Sequence, residues 1–170
     1  MIISRNTLMV AVALITLSAC AKKRVELPPA PIGTQGGGTS TGPTRPSGPI
    51  AGSQEDFVAS VSADRIFFDT DKFDVDAEDQ EVLRSQATWL AKYPAKRVTI
   101  EGHADERGTR DYNIALGERR ANSAKNFLSS LGVDAARIST ISYGKERPDA
   151  LGSDEVSWAR NRRAVTLTVQ

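Results

Sequence analysis

Residue types on which metal sites and covalent catalysis depend are scarce in this chain of 170 residues. It contains one cysteine, Cys20, and one histidine, His103. A single cysteine cannot form an internal disulfide or a cysteine-based zinc site, and a single histidine excludes His-rich metal sites. The formal net charge is only +1, whereas domains that bind nucleic acid are normally strongly basic. We therefore expect no nucleic-acid partner.

Motifs of common catalytic sites are also missing. The sequence has no G-x-S-x-G elbow and no P-loop. His103 and Asp105 stand too close together on one predicted loop to form a catalytic triad. An acidic stretch fails the EF-hand pattern because, counted from Asp69, the sixth position is Asp74 instead of glycine and the twelfth is Gln80 instead of glutamate. We expect no catalytic residue, no metal ion and no cofactor.

One hydrophobic run stands at the N-terminus. Residues 8–17 would rise about 15 Å as a helix, half of the roughly 30 Å core of a bilayer, so residues 1–19 are predicted to be a signal peptide. The run ends in Leu-Ser-Ala-Cys20, which resembles the lipobox of bacterial lipoproteins. Such a signal is cut before the cysteine, which is then acylated; the alternative is an ordinary secretory signal with an incidental cysteine. Because Ala21 rather than aspartate follows Cys20, the resemblance implies anchoring in the outer membrane, facing the periplasm.

A break in composition follows the predicted lipidation site. Residues 28–53 include 6 prolines and 7 glycines in 26 positions. Such a segment cannot bury enough apolar surface to offset its ordering entropy, so we expect a disordered tether within residues 20–55. The rest of the chain, residues 56–170, has the length of one small domain.

Strand and helix patterns alternate within this domain. Strands are predicted at residues 64–68, 97–101, 138–143 and 164–169, and helices at residues 77–92 and 113–131. Pro94 lies beyond the end of the first helix, and Gly132 ends the second. The order βαβαββ predicts an α/β fold, an α+β sandwich in which helices pack on one face of a mixed sheet.

An arginine interrupts the apolar stripe of the second predicted helix. Arg120 falls on the stripe with Leu116 and Ala124, whereas Arg119 falls off it and is expected to be a solvated charge. An arginine at the edge of a core face usually has an acidic partner. The periodicity leaves two interpretations open: an intramolecular salt bridge, or a pocket in which Arg120 receives a ligand carboxylate through two hydrogen bonds.

Three ordered motifs carry a family resemblance. They are VTIEGHADERGTRDYNIALGERRANSAKNFLSSLGV, then ISYGKERP, then ARNRRAVTL. Together they match the pattern G-H-[TA]-D-x-x-G, N-x-x-L-[SG]-x-x-R-A, G-x-x-x-P and N-R-R, and over roughly residues 60–170 the chain resembles the C-terminal domain of OmpA-like proteins. The main departure is Thr70, where an aromatic residue is common.

The resemblance implies non-covalent binding of peptidoglycan at the meso-diaminopimelate of its stem peptide. This ligand carries an ammonium group and a carboxylate on one carbon. The family motif assigns the ammonium to Asp105 and the carboxylate to Arg120. It assigns further parts of the pocket, its wall and its supporting loop to Asp71, Thr70, Leu116 and Asn113.

The lipoprotein members of this family tether the outer membrane to the cell wall. The resemblance implies that role for this chain, with functions in envelope integrity and cell division, and it implies binding to the propeller protein TolB and other Tol proteins. The alternative is an enzyme that acts on the wall, or its regulatory subunit. The cluster of Arg160, Arg162 and Arg163 is predicted either to contact such a partner or to be a solvated entry to the last strand.

Overall fold

The computed structural model describes residues 48–169. The predicted signal peptide, Cys20 and the tether up to residue 47 lie outside the described residues. The elements run in the order α1 (Gln54–Ser60), β1 (Arg65–Phe67), α2 (Ala77–Lys92), β2 (Arg97–His103), α3 (Arg110–Ser130), a 3₁₀ turn (Ala135–Arg137), β3 (Ile138–Gly144), α4 (Glu155–Asn161) and β4 (Arg163–Val169). No helix within residues 48–169 combines the length and the apolar character needed to cross a bilayer.

The four strands form one mixed sheet in the order β1-β4-β2-β3. Strand β4 is antiparallel to both β1 and β2, whereas β2 and β3 are parallel. A parallel pair needs a crossover connection, and α3 supplies it between β2 and β3. The predicted fold class is confirmed.

The three helices α1, α2 and α3 contact the same face of the sheet. Thr168 of β4 donates to Gln54 of α1, and Thr166, two residues earlier on the same face, donates to Gln86 of α2. Ser142 of β3 donates to the carbonyl of Ile114 in α3. Between the layers lies the apolar core, whose largest fully buried members are Phe57, Ile66, Leu83, Leu90, Ile100 and Leu128.

Helix α2 has the predicted bounds, because its ends are encoded locally. Asp76 is the N-cap and accepts the backbone N–H of Asp79 at 2.8 Å. Glu78 and Asp79 occupy the first turn, where the helix dipole favours acids, and Lys92 occupies the last. The helix ends at Lys92, and its C-cap Tyr93 directly precedes Pro94.

Two short helices were not predicted from the sequence. Helices α1 and α4 have seven residues each, too few for a clear hydrophobic stripe. Tertiary contacts hold α1 in place: the ring of Phe57 packs edge-on against Trp89 at 5.0 Å, and Trp89 Nε1 donates to Asp56. The ordered part of the domain therefore includes Gln54, two positions before the predicted start at residue 56.

Candidate ligand-binding site

A cavity of about 500 Å³ opens between the loop after β1, the loop after β2 and the first three turns of α3. The six predicted site residues all line it: Thr70, Asp71, Asp105, Asn113, Leu116 and Arg120. The structure thus brings together residues that are up to 50 positions apart in the chain.

A glycine pair sets the distance between α3 and β2. A Cβ placed on Gly117 would lie 2.8 Å from the carbonyl oxygen of Gly102, and it would also collide with Ser142 Oγ. Only two glycines allow the helix backbone to lie directly on the strand. Asp105 follows Gly102 by three residues and Arg120 follows Gly117 by three, so this contact fixes both charged groups at one cavity.

Arg120 is fully buried and is held by carbonyl groups. Its Nε donates to Lys72 O at 2.9 Å, Nη1 to His103 O at 2.8 Å, and Nη2 to Asp69 O at 3.0 Å. Burial, with the charge of Arg162 close by, lowers the pKa of Arg120 to about 10, so the guanidinium is charged at neutral pH.

The intramolecular salt bridge considered for Arg120 is not formed with any carboxylate of residues 48–169. A guanidinium has five N–H donors, and the three carbonyls use three of them. One N–H on each terminal nitrogen is left for a ligand, which suits a carboxylate that accepts two hydrogen bonds. Leu116, also buried, adds an apolar surface to the same cavity.

Asp105 supplies the negative charge of the cavity and is 7% exposed. Its Oδ1 accepts the backbone N–H of Arg107 at 3.1 Å and Arg107 Nε at 3.0 Å, and its Oδ2 accepts Arg107 Nη2 at 2.7 Å. Arg162 Nη1 lies 3.5 Å from Oδ2. Burial raises the pKa of the Asp105 carboxyl, but the bonds from Arg107 outweigh this effect and the pKa lies below its ordinary value.

Thr70 and Asp71 form the opposite rim. Asp71 has a φ of 58°, the left-handed conformation, which aspartate tolerates better than most residues. Its Oδ1 accepts the hydroxyl of Tyr112 at 3.0 Å, and Thr70 Oγ1 accepts Arg107 Nη2 at 3.3 Å. The loop after β1 is thereby joined to α3 and to the loop after β2.

Asn113 supports the loop that carries Asp105. Its Nδ2 donates to the carbonyl of Arg107 at 2.8 Å, and its side chain is buried. Thr109 caps α3 by accepting the N–H of Tyr112, and the helix begins three residues before the predicted position. The resemblance implies a supporting role for Asn113, which stays a prediction; this contact is the geometry through which Asn113 would act.

Five of the lining residues were not predicted from the sequence: Ala104, Arg107, Gly108, Thr109 and Tyr112. Of these, Arg107 and Tyr112 have side chains that donate to predicted site residues. The signal for Arg107 is local: an aspartate side chain readily accepts the backbone N–H two positions later. Here Arg107 also folds its guanidinium back onto the same carboxylate, with the ring of Trp158 at 4.2 Å beneath it. Tyr112 lies on the exposed side of α3, where no periodicity distinguishes it from a surface residue.

The three arginines around the start of β4 do not form one exposed cluster. Arg160 is exposed and pairs with Asp149 at 2.9 Å. Arg162 is buried, where it donates to Phe68 O at 2.9 Å and to Glu155 at 2.7 Å. Arg163 is buried as well and donates to the carbonyl of Arg147. The alternative of a solvated strand entry is therefore wrong for Arg162 and Arg163, because both are buried and donate to backbone carbonyl groups of the surrounding loops.

His103 contributes its backbone to the site but not its ring. Its carbonyl oxygen holds Arg120, while the imidazole is 1% exposed and is not among the groups that line the cavity. Burial, together with the charges of Arg163 and Arg147, lowers the pKa of His103 to about 4. The imidazole is therefore neutral at neutral pH.

A family model matches the chain over most of the folded domain. The model of the OmpA family matches residues 67–162, more than half of the chain. The chain belongs to the OmpA family. The match includes every predicted residue of the cavity.

Within this family, the chain is similar to proteins named peptidoglycan-associated lipoprotein. It is 47% identical to that of Agrobacterium fabrum over 97% of this chain and 89% of the relative. It is 54% identical to that of Brucella melitensis over 68% of this chain and 68% of the relative.

Solved structures share the fold. The crystal structure of the peptidoglycan-associated lipoprotein from Burkholderia pseudomallei superposes with a TM-score of 0.62 at 42% identity, over 66% of this chain and 93% of that one. The C-terminal domain of Helicobacter pylori MotB superposes with a TM-score of 0.60 at 19% identity, over 64% of this chain and 86% of that one. The second likeness extends to the fold alone.

Proposed function

We propose that this chain is an outer-membrane lipoprotein that binds peptidoglycan non-covalently and so tethers the outer membrane to the cell wall. The cavity would hold the meso-diaminopimelate of the stem peptide. Similarity to proteins named peptidoglycan-associated lipoprotein supports the ligand class. The chemistry of the cavity supports meso-diaminopimelate as the part of peptidoglycan that is bound.

The observation that carries this proposal is the environment of Arg120. A buried charge normally has an opposite charge beside it, because burial without a partner is costly. Arg120 has only carbonyl partners among residues 48–169, and it lines an open cavity. A ligand carboxylate would supply the missing charge, and the carbonyls would hold the guanidinium in place for it.

The second charge of the cavity selects the rest of the ligand. Diaminopimelate carries an ammonium group on the same carbon as its free carboxylate. Asp105 would accept hydrogen bonds from the ammonium group while Arg120 binds the carboxylate. Both side chains line the same cavity. Leu116 would contact the aliphatic part of the ligand, and Thr70 and Asp71 would close the opposite rim.

The N-terminal part of the chain would provide the anchor. Acylation of Cys20 would attach the chain to the outer membrane, since two or more acyl chains anchor a protein stably. A flexible segment from residue 21 to residue 52, before the N-cap of α1, would span about 30 Å on average and roughly 110 Å when extended. We further propose that TolB and other Tol proteins bind the domain, with roles in envelope integrity and cell division. Binding of purified TolB with and without stem peptide would test this part, and no binding in either condition would contradict it.

Co-sedimentation with purified peptidoglycan tests the main proposal. The full chain in detergent should sediment with sacculi that contain diaminopimelate, and Arg120→Lys should weaken this binding because lysine lacks the planar pair of donors. Arg119→Lys is the matched control, since Arg119 is the exposed neighbour on the same helix. Equal sedimentation of a folded Arg120→Lys variant would contradict the proposal. Release of soluble muropeptides by the wild type would favour the enzyme alternative.

A further inference from the structure

The carboxylate that the proposed function assigns to the ligand's ammonium group is already occupied. Arg107 contacts both oxygens of Asp105, with Nε 3.0 Å from Oδ1 and Nη2 2.7 Å from Oδ2. Arg162 adds a second positive charge 3.5 Å from Oδ2. A third cation that approached this carboxylate with Arg107 in place would meet two guanidinium groups around one negative charge.

The side chain of Arg107 has few contacts that would prevent it from moving away from Asp105. Its side chain is 39% exposed, whereas that of Arg162 is buried and tied to Phe68 and Glu155. Its other contacts are the hydroxyl of Thr70 at 3.3 Å and the ring of Trp158 at 4.2 Å. Thr70 is exposed and Trp158 is partly exposed, and neither belongs to the buried core, so Arg107 can rotate into water without opening the core.

We propose that Arg107 is a specificity-determining residue that competes with the ligand's ammonium group for Asp105. This inference rests on the proposed function. In the unliganded domain Arg107 occupies both oxygens of the Asp105 carboxylate. The ligand's ammonium group binds only to the fraction of molecules in which Arg107 has moved away. The apparent dissociation constant is then the intrinsic one divided by that open fraction.

The competition acts on one half of the ligand only. A ligand that offers an ammonium group must displace Arg107, whereas a ligand that offers only a carboxylate can bind Arg120 with Arg107 still in place. Arg107 therefore weakens the binding of amine-bearing ligands without weakening the binding of ligands whose amine is blocked. The site therefore binds an amine only when a carboxylate on the same ligand also binds Arg120.

Two peptides and two variants test this inference. The peptides are the stem peptide with diaminopimelate and the same peptide with its free amine acetylated. The variants of the full chain in detergent are Arg107→Gln and, as the matched control, Arg110→Gln, which removes an exposed arginine that pairs with Glu146 outside the cavity lining. Arg107→Gln should bind the amine-bearing peptide roughly two- to fivefold more tightly, the size expected for an ion pair whose cation is partly exposed. The gain should be in the association rate.

The acetylated peptide should bind wild type and Arg107→Gln with equal affinity, and Arg110→Gln should match wild type for both peptides. Without ligand, the pKa of the Asp105 carboxyl, followed by NMR, should rise in Arg107→Gln and stay unchanged in Arg110→Gln. The inference is overturned by equal or weaker binding of the amine-bearing peptide to Arg107→Gln, by an equal gain for both peptides, or by an unchanged Asp105 pKa. A wild type that binds neither peptide contradicts the proposed function itself.

Discussion

Arg120 and Arg162 are two buried arginines near one cavity, and their partners differ. Arg162 donates to Glu155 and lies beside Asp105, so its charge is compensated within the chain. Arg120 donates to three carbonyls and keeps two N–H groups for another acceptor. At the scale of single residues, this difference in partners separates an arginine that stabilises loop packing from one that is able to receive a ligand.

Asp105 and Arg120 should act on the ligand as one unit. Asp105→Ala should weaken binding of the diaminopimelate stem peptide by about 2–5 kcal/mol, because it removes the partner of a desolvated ammonium group. In the double variant with Arg120→Lys, the losses should not add, since both residues bind groups on one carbon. Calorimetric titration of the single and double variants checks this coupling. Strictly additive losses, or lower melting temperatures with unchanged affinity of the folded fraction, would contradict it.

At the scale of elements, the contact between α3 and β2 is the part of the fold that builds the cavity. Helix α3 lies on the strand at Gly117 and Gly102, which leaves no room for a side chain on either. Asp105 lies three residues after Gly102, and Arg120 lies three residues after Gly117. Both side chains line the cavity. A change in helix position would therefore change the distance between the two charges.

Gly117→Ala should lower both stability and affinity. Alanine favours the helix by about 1 kcal/mol. The added methyl group would lie 2.8 Å from Gly102 O, and such overpacking costs about 1–3 kcal/mol or more where backbone must move. We expect net destabilisation in thermal unfolding and weaker binding of the stem peptide by the folded protein. Gly48→Ala is the control because a Cβ there meets nothing within 4 Å. Unchanged affinity in Gly117→Ala would show that the contact does not position the site.

Elements with local signals were predictable from the sequence, and those that depend on tertiary contacts were not. Helix α2 has an N-cap at Asp76, acids in its first turn and Pro94 beyond its end, and its bounds were predicted to the residue. Helices α1 and α4 have capping residues too, but at seven residues each they form through packing such as that of Phe57 on Trp89. The last strand, β4, lies between β1 and β2, a placement between strands far apart in the chain that no single segment indicates.

Six of the eleven residues that line the candidate site were named from the sequence, but their contacts were not, and their role in binding stays a prediction. The periodicity of α3 marked Arg120 as unusual, and the motif resemblance named both Arg120 and Asp105. Neither indicated that Arg120 is held by carbonyl groups. That Arg107 covers Asp105 depends on how the loop after β2 turns back, which spacing does not show. The burial of Arg162 depends on a loop more than ninety positions earlier in the chain, at Phe68.

At the scale of the whole molecule, two buried titratable groups have opposite effects on acid stability. Burial raises the pKa of Asp79 to about 6, with the charges of Asp76 and Glu78 adding to the effect. Burial lowers the pKa of His103 to about 4. Below pH 6.5 the unfolded chain protonates His103 before the folded chain does, which destabilises the fold. Below pH 6 the folded chain protonates Asp79 before the unfolded chain does, which stabilises it.

Asp79→Asn should therefore make the protein more sensitive to acid. Asparagine still accepts the Phe67 N–H that Asp79 accepts, but it cannot take up a proton. Between pH 7 and pH 4.5, the free energy of unfolding of the variant should fall by ~2 kcal/mol relative to wild type. Urea unfolding at several pH values measures this difference. Parallel stability curves for the two proteins would contradict the raised pKa of Asp79.

The proposed anchor belongs to the same scale. Cys20→Ser should leave a folded domain that no longer partitions into membrane, because the proposed acylation site is lost. Phase partitioning in a cloud-point detergent and the size of the processed chain check both maturation and anchoring. A variant that is still cleaved and membrane-bound would contradict the lipobox interpretation. Binding of soluble stem peptide should be the same as in wild type.

The most direct test of the account compares two stem peptides that differ only at the proposed contact. Diaminopimelate carries the carboxylate that Arg120 would bind, and its lysine analogue lacks it. In calorimetric titrations of the full chain, the diaminopimelate peptide should bind at least about tenfold more tightly, a difference of about 1.4 kcal/mol. Arg120→Lys should reduce that preference while changing the binding of the lysine peptide little. Equal affinity of wild type for the two peptides would contradict the assignment of Arg120 to the ligand carboxylate.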